Sequence, residues 1–219
     1  MATRADPGVG AGVSGYAITS GLAAAANLKA TVPTHLMSQV LPARIDVIAR
    51  VVACDELAAH ATVAGGHVLG FDVSAMADFW VETYSELSVD TLPHVALTAD
   101  TIVLSADLTQ LGARAVAEGA TGSVDCSHLG SATLPVIRSG RANAVLYWFR
   151  LHLDRAGTNV LVTGPTSKTS GGGIRCPSWR QAAVLQSGAV GVELQAGRPI
   201  TVDCVCRSRH VGFQLRQQK

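Results

Sequence analysis

The alternation of side chains over residues 143 to 154 is the feature that most constrains the fold of this chain. The odd positions from Val145 to Leu153 are all apolar, whereas Arg150, His152 and Asp154 occupy even positions near its end. A period of two places the odd side chains on one face of a β-strand. Because an isolated strand cannot bury such a face, the chain needs further strands around it.

Other apolar and β-branched segments supply candidate strands. The first follows Leu41-Pro42 and covers Ile45–Cys54, with proline at the strand entry. The later ones cover residues 101–108, 132–137, 184–185, 190–194, 200–206 and 211–215. Turns are predicted at Gly140, Asp154–Gly157 and Ala196–Pro199. Strands without regularly alternating helices predict a mainly β fold, an antiparallel β-barrel or barrel-like sandwich.

Two segments have helical rather than strand character. Residues 21–40 predict an N-terminal helix that follows a flexible leader over 1–20 and leads into the barrel. The spacing of Met76, Phe79 and Trp80 suits a short amphipathic helix. The predicted organisation is therefore a barrel domain over 41–219 with a short helical arm inserted at about 56–90.

Composition excludes several classes of protein. The 219 residues are 48% hydrophobic and 15% charged, which is typical of a folded core, and the net charge of +1 argues against nucleic acid as a partner. Five scattered cysteines favour free thiols in a reducing compartment, cytoplasmic or nuclear. The uncharged run Pro7–Leu28 raises the alternatives of a signal peptide or a secreted β-sandwich, but its glycine content disfavours membrane insertion.

Two short motifs partly resemble ligand-binding patterns. Glycines at positions 8, 10 and 12 lack the preceding strand that a nucleotide-binding turn requires. Cys204, Cys206 and His210, with Cys176 as a fourth ligand, form no zinc knuckle, so the cysteines are interpreted as core residues. We therefore expect no metal site.

A set of motifs resembles the C-terminal β-barrel of the protein arginine N-methyltransferase family. The match comprises residues 140–154, Gly157, Gly164-Pro165, 179–185, Gly197 and 212–215, with 40–47, 70–76 and 92–97 similar to the first barrel strand and the dimerisation-arm region. The resemblance covers roughly residues 40–215. Trp-x-Gln, preceded by the Trp-Phe strand, is the most specific part of it.

The resemblance implies methyl transfer from S-adenosylmethionine to a protein arginine. Trp179 matches the tryptophan of the family's Thr-His-Trp loop beside the substrate pocket, but Pro177 and Ser178 stand where the family has threonine and histidine. Trp179 and Ser178 are thus the candidate substrate-pocket residues. The cofactor domain and the glutamate pair that grips the guanidinium find no match here, so no catalytic or cofactor-binding residue is assigned.

Two functions follow from this reading. The first is the substrate-side and dimerisation portion of an arginine methyltransferase, inactive as this chain alone (a truncated enzyme or pseudoenzyme). Its partners would be an arginine-containing protein substrate or a methyltransferase-like subunit, with an oligomer formed through the arm and no membrane contact. The second is a stand-alone, non-catalytic β-barrel that serves as an interaction or regulatory module. Whether the chain belongs to an enzyme stays open at this point.

Overall fold

A computed structural model describes residues 41–61, 67–75, 84–108, 130–166, 173–176, 178–186, 191–207 and 210–217. The predicted leader over 1–20, the helix over 21–40 and the amphipathic segment around Met76, Phe79 and Trp80 lie outside these residues. Their predictions stay untested.

The described chain consists of strands with one short helix. The helix α1 (Asp55–Ala61) follows the first strand. The strands are β1 (Arg44–Ala53), β2 (His67–Val68), β3 (Phe71–Asp72), β4 (Tyr84–Leu87), β5 (Val95–Ala96), β6 (Thr101–Asp107), β7 (Gly130–Leu134), β8 (Gly140–Ala142), β9 (Ala144–His152), β10 (Val160–Val162), β11 (Ile174–Arg175), β12 (Gln181–Leu185), β13 (Val192–Leu194), β14 (Ile200–Arg207) and β15 (His210–Gln217).

The largest sheet is built on the antiparallel pair β1 and β9. These strands are in register from Arg44 opposite His152 to Val52 opposite Ala144. The other edge of β9 pairs with β12 near its start and with β10 near its end, while the other edge of β1 pairs with β5 and β6. β4 joins β12, and β11 joins β10 in parallel, which completes eight strands.

The remaining strands form smaller sheets. β7, β14 and β15 make an antiparallel three-stranded sheet, β8 pairs with β13, and β2 pairs with β3. The mainly β, antiparallel prediction is confirmed. Within the described ranges the hydrogen-bonded ladders do not join into a closed barrel, because β6 and β7 are not paired, nor are β13 and β15.

One hydrophobic core lies between the large sheet and the three-stranded sheet. The odd positions of β9 enter it, as the alternation predicts, together with residues of β14 and β15. The Tyr147 ring meets Phe149 and Phe213 edge-on, with centroids 5.6 Å and 5.1 Å apart. The contact with Phe213 links the central strand of the large sheet to the edge strand β15 of the three-stranded sheet.

The even positions of β9 other than Arg150 are buried as well. Leu146 and Trp148 belong to a second cluster that includes Ile48 and Val52 of β1. His152 is also buried, with 7% of its surface exposed. The large sheet is therefore covered on both faces here, which a simple alternation of apolar and polar residues does not reveal.

Some boundaries differ from the predictions. Gly140 does not form a hairpin turn but begins β8, because residues 140–142 find their partner in β13, about fifty positions further along the chain. The strand predicted over 132–137 runs from Gly130 to Leu134, where β14 pairs with it. The turns at 154–157 and 196–199 are confirmed, with Gly157 and Gly197 at positive φ.

The arm contains more strand than predicted. Its described residues include helix α1 and then the hairpin of β2 and β3, where the sequence predicts no strand. The residues that the structure describes contain no helix long and apolar enough to cross a membrane.

Ile200→Ala tests the core between the two sheets. Ile200 is 1% exposed and pairs with Leu134, so removing its side chain should leave a cavity and lower the free energy of unfolding by about 2–5 kcal/mol. Ile137→Ala is the matched control because Ile137 is 60% exposed, and it should change that free energy by less than about 0.5 kcal/mol. Urea denaturation followed by circular dichroism measures both; equal losses would contradict the core described here.

Candidate functional site

The two predicted pocket residues lie in the short segment between β11 and β12. Ser178 is exposed, whereas Trp179 is half-buried and packs against the main core. The structure thus places them side by side at the edge of the core, with Ser178 towards solvent. Part of the indole surface stays accessible to a ligand or a second domain.

Backbone contacts fix the start of this segment to β10. Cys176 N–H donates to Val162 O at 3.0 Å, and Trp179 N–H donates to Cys176 O at 3.4 Å. Gly173 permits the close approach, since a Cβ atom there would lie 2.6 Å from Val162 Cγ2 and 3.0 Å from Val160 O. Close packing against β10 therefore explains why residue 173, just before β11, is a glycine.

Gln181 fixes the other end of the segment. Its Oε1 accepts the Val89 N–H at 3.0 Å, and its Nε2 donates to Thr163 O at 2.5 Å. The side chain is buried, so these bonds satisfy two backbone groups in a region that excludes water. Gln181 thereby connects β12, the turn after β4 and the loop after β10.

The Thr163-Gly164-Pro165 loop packs beside the segment. Thr163 Oγ1 accepts the Phe149 N–H at 2.9 Å, which binds the loop to β9. Gly164 lies against the indole of Trp148, where a Cβ atom would be 2.8 Å from Cδ1 and Nε1. The Gly-Pro motif singled out in the sequence thus forms a buried support.

Asp90 adds a charged contact at the surface. Its two carboxylate oxygens accept the Thr166 N–H, each at 2.9 Å, and Oδ2 also accepts the Thr166 hydroxyl at 2.5 Å. Arg175 Nη2 lies 3.6 Å from Oδ2. From a third part of the chain, the carboxylate therefore connects Thr166 and Arg175, which both precede Ser178 and Trp179.

We name the pair Ser178 and Trp179 the tryptophan rim. It offers an apolar wall and a hydroxyl, and Arg175, three residues earlier, forms a partly exposed ion pair with Asp90. These groups suit the binding of a polar or cationic side chain. Within the described ranges, no group of three or more His, Cys, Asp or Glu residues lies close enough to hold a metal ion.

A buried charge cluster at one end of β1 was not anticipated. Asp46 is 3% exposed; its Oδ2 accepts a hydrogen bond from His152 Nε2, and its Oδ1 accepts one from the Ser105 hydroxyl, both at 2.7 Å. Arg44 Nε lies 3.4 Å from Oδ1. In the sequence, this cluster is indicated by the charged residue Asp46 within the apolar run of β1.

A second charge cluster lies further along β1. Arg50 forms a bidentate pair with Asp100 at 2.6 and 2.9 Å, and its guanidinium lies 5.3 Å from the centre of the Trp148 ring. His94 Nε2 approaches Arg50 Nη1 at 3.3 Å. In both clusters the buried charges are paired with residues of the sheet and its loops. We therefore interpret both clusters as structural parts of the fold.

The cysteines agree with the core interpretation where their side chains are described. Cys54 and Cys204 are buried, and Cys176 is half-buried. Burial raises the pKa of the Cys54 thiol, which also donates to Pro93 O at 3.3 Å. The side chains of Cys206 and His210 lie outside the described part of the chain.

Gln181→Ala tests the support of the tryptophan rim. It leaves the Val89 N–H and the Thr163 carbonyl without their buried partner, so the free energy of unfolding should fall by about 3 kcal/mol. Gln214→Ala is the control, because Gln214 is exposed on β15. Chemical denaturation compares the two. A loss no larger than that of the control would show that water replaces both bonds.

No family model and no curated protein matches the sequence. Among solved structures, the chain is similar to the PRMT1 enzyme–prozyme heterotetramer of Trypanosoma brucei, a protein arginine methyltransferase solved with S-adenosylhomocysteine. The TM-score is 0.62 at 13% identity, over 90% of this chain and 58% of that one. The predicted resemblance is thus confirmed at the level of the fold.

Proposed function

We propose that this chain is the barrel, substrate-side and dimerisation portion of a protein arginine N-methyltransferase. The observation that carries the proposal is the shared fold over 90% of the chain, in a sequence whose Trp-x-Gln motif supplies the Trp179 wall and its buried support Gln181. Methyl groups would come from S-adenosylmethionine, since the similar structure was solved with S-adenosylhomocysteine. A cytoplasmic or nuclear location is part of the same proposal.

The three-stranded sheet of β7, β14 and β15 and the pair of β8 with β13 support a barrel-like arrangement of this portion. Strands β6 and β7 pack together without a shared ladder. Gln217 Nε2 donates to Glu193 O at 2.5 Å, which bridges β15 and β13. The core extends across both gaps, so side-chain packing would complete what the ladders leave open.

The tryptophan rim fits the substrate side of the reaction. A half-buried indole that packs on the core presents a fixed apolar wall, against which the flat face of a guanidinium can stack. Ser178 stands where the family has histidine, so a hydroxyl would replace an imidazole in the polar surroundings of the substrate. A hydroxyl is a poor proton acceptor at neutral pH, which assigns this side a binding role rather than a catalytic one.

The arm supports assembly with another subunit. Leu69 and Phe71 sit on the hairpin of β2 and β3 and are 94% and 73% exposed. Large apolar side chains placed together at a protein surface favour contact with a partner. The similar structure is an enzyme–prozyme heterotetramer. We therefore propose a methyltransferase-like partner subunit that supplies the cofactor site and the carboxylates for the guanidinium.

Methyl transfer by the native assembly tests the proposal. The protein, tagged in its own cells, is purified gently with its partners and given labelled S-adenosylmethionine and an arginine-rich peptide. We expect label in this peptide and none in its arginine-to-lysine counterpart. Trp179→Ala should lower incorporation by about tenfold or more because the guanidinium loses its wall, and Trp179→Phe should restore part of it.

Ile137→Ala serves as the control variant, being a similar truncation of an exposed apolar residue away from the rim. Circular dichroism confirms that each variant is folded. No incorporation by the wild-type assembly would favour the stand-alone, non-catalytic barrel. Equal incorporation by wild type and Trp179→Ala would remove the rim from the substrate site.

A further inference from the structure

We propose that Asp90 is a positioning residue for the tryptophan rim, an inference that rests on the proposed function for its role in methyl transfer. Asp90 lies in the turn after β4, where Thr91 N–H and Leu92 N–H donate to Ser88 O. It is thus on a different element from Ser178 and Trp179. Its carboxylate nevertheless contacts residues on both limbs that lead to them.

The two limbs are the loop after β10 and strand β11. Thr166 ends the described part of the first limb, and its N–H and hydroxyl both donate to Asp90. Arg175 belongs to the second limb, three positions before Ser178, and its guanidinium faces the same carboxylate. One side chain therefore holds together the two limbs that precede the rim.

The rim is supported by one buried side chain and one exposed side chain. Gln181 fixes the end of the segment from inside, through bonds to Val89 and Thr163. Asp90, one residue after Val89, fixes the two limbs from outside. The turn at 88–92 is therefore attached to the segments around the rim by two adjacent residues. Val89 makes the buried contact with Gln181, and Asp90 makes the exposed contacts.

The exposure of the partners predicts a local effect. The side chains of Arg175 and Asp90 are 36% and 27% exposed, so their ion pair contributes little to global stability. Hydrogen bonds at an exposed loop instead control how often that loop opens. Loss of Asp90 should therefore loosen the rim while the core keeps its stability.

The groups around the Asp90 side chain favour a carboxylate at this position. Its two oxygens accept the Thr166 N–H and hydroxyl and face a guanidinium, all of them donors. In Asp90→Asn one oxygen becomes an NH₂ group, which is itself a donor and meets the same donors. Asp90→Glu keeps both acceptors on a longer side chain, so it should recover part of the contact.

Amide hydrogen exchange of the purified protein tests the contact without reference to activity. In Asp90→Asn the amides of Thr166 and Cys176 should exchange about tenfold faster or more than in the wild type. The amides of β1 and β9 should keep their rates. Asp90→Glu should fall between the two. Glu193→Gln is the matched control, a carboxylate-to-amide change at an exposed position on β13.

Kinetics of the native assembly test the positioning role. Asp90→Asn should lower kcat/KM for the arginine-rich peptide by about tenfold and leave KM for S-adenosylmethionine unchanged, with part of the loss recovered in Asp90→Glu. Unchanged exchange at Thr166 and Cys176 would overturn the contact itself. Faster exchange with unchanged kcat/KM would overturn the positioning role. Faster exchange in a protein without methyl transfer would instead count against the proposed function.

Discussion

The pairing of β1 with β9 is the interaction on which the rest of this structure depends. Nine consecutive residue pairs join the two strands, and every other strand of the large sheet attaches to one of them directly or through one neighbour. Their odd positions enter the main core, whereas Ile48, Val52, Ala144, Leu146 and Trp148 at even positions belong to the second hydrophobic cluster. A slip of one residue would exchange these two faces, so packing on both sides fixes a single register.

The charges within β1 reinforce that register. Asp46 and Arg50 lie four positions apart on the same face, each buried and each paired with residues from other strands or loops. A buried charge without its partner costs several kcal/mol, whereas a paired one contributes little net stability. These pairs therefore disfavour other registers more than they stabilise the native one.

The tryptophan rim depends on contacts that hold an irregular segment to this sheet. Backbone bonds to β10, the buried amide of Gln181 and the carboxylate of Asp90 act at different points of it. The Trp179 ring packs on the core while Ser178 faces solvent. The segment therefore presents a half-buried apolar wall beside an exposed hydroxyl, as the proposed substrate-side role requires.

The sequence by itself determined the strands at 44–53, 101–107 and 144–152, because alternation and β-branched residues are local signals. It also indicated the family's fold and the residues of the rim, through motifs read in order. It did not determine that residues 140–142 pair with β13, that His152 is buried, or that Gln181 and Asp90 support the rim. Those features depend on partners between 50 and 106 positions away. Only the tertiary structure decides which distant polar groups meet, because each must find a partner once water is excluded.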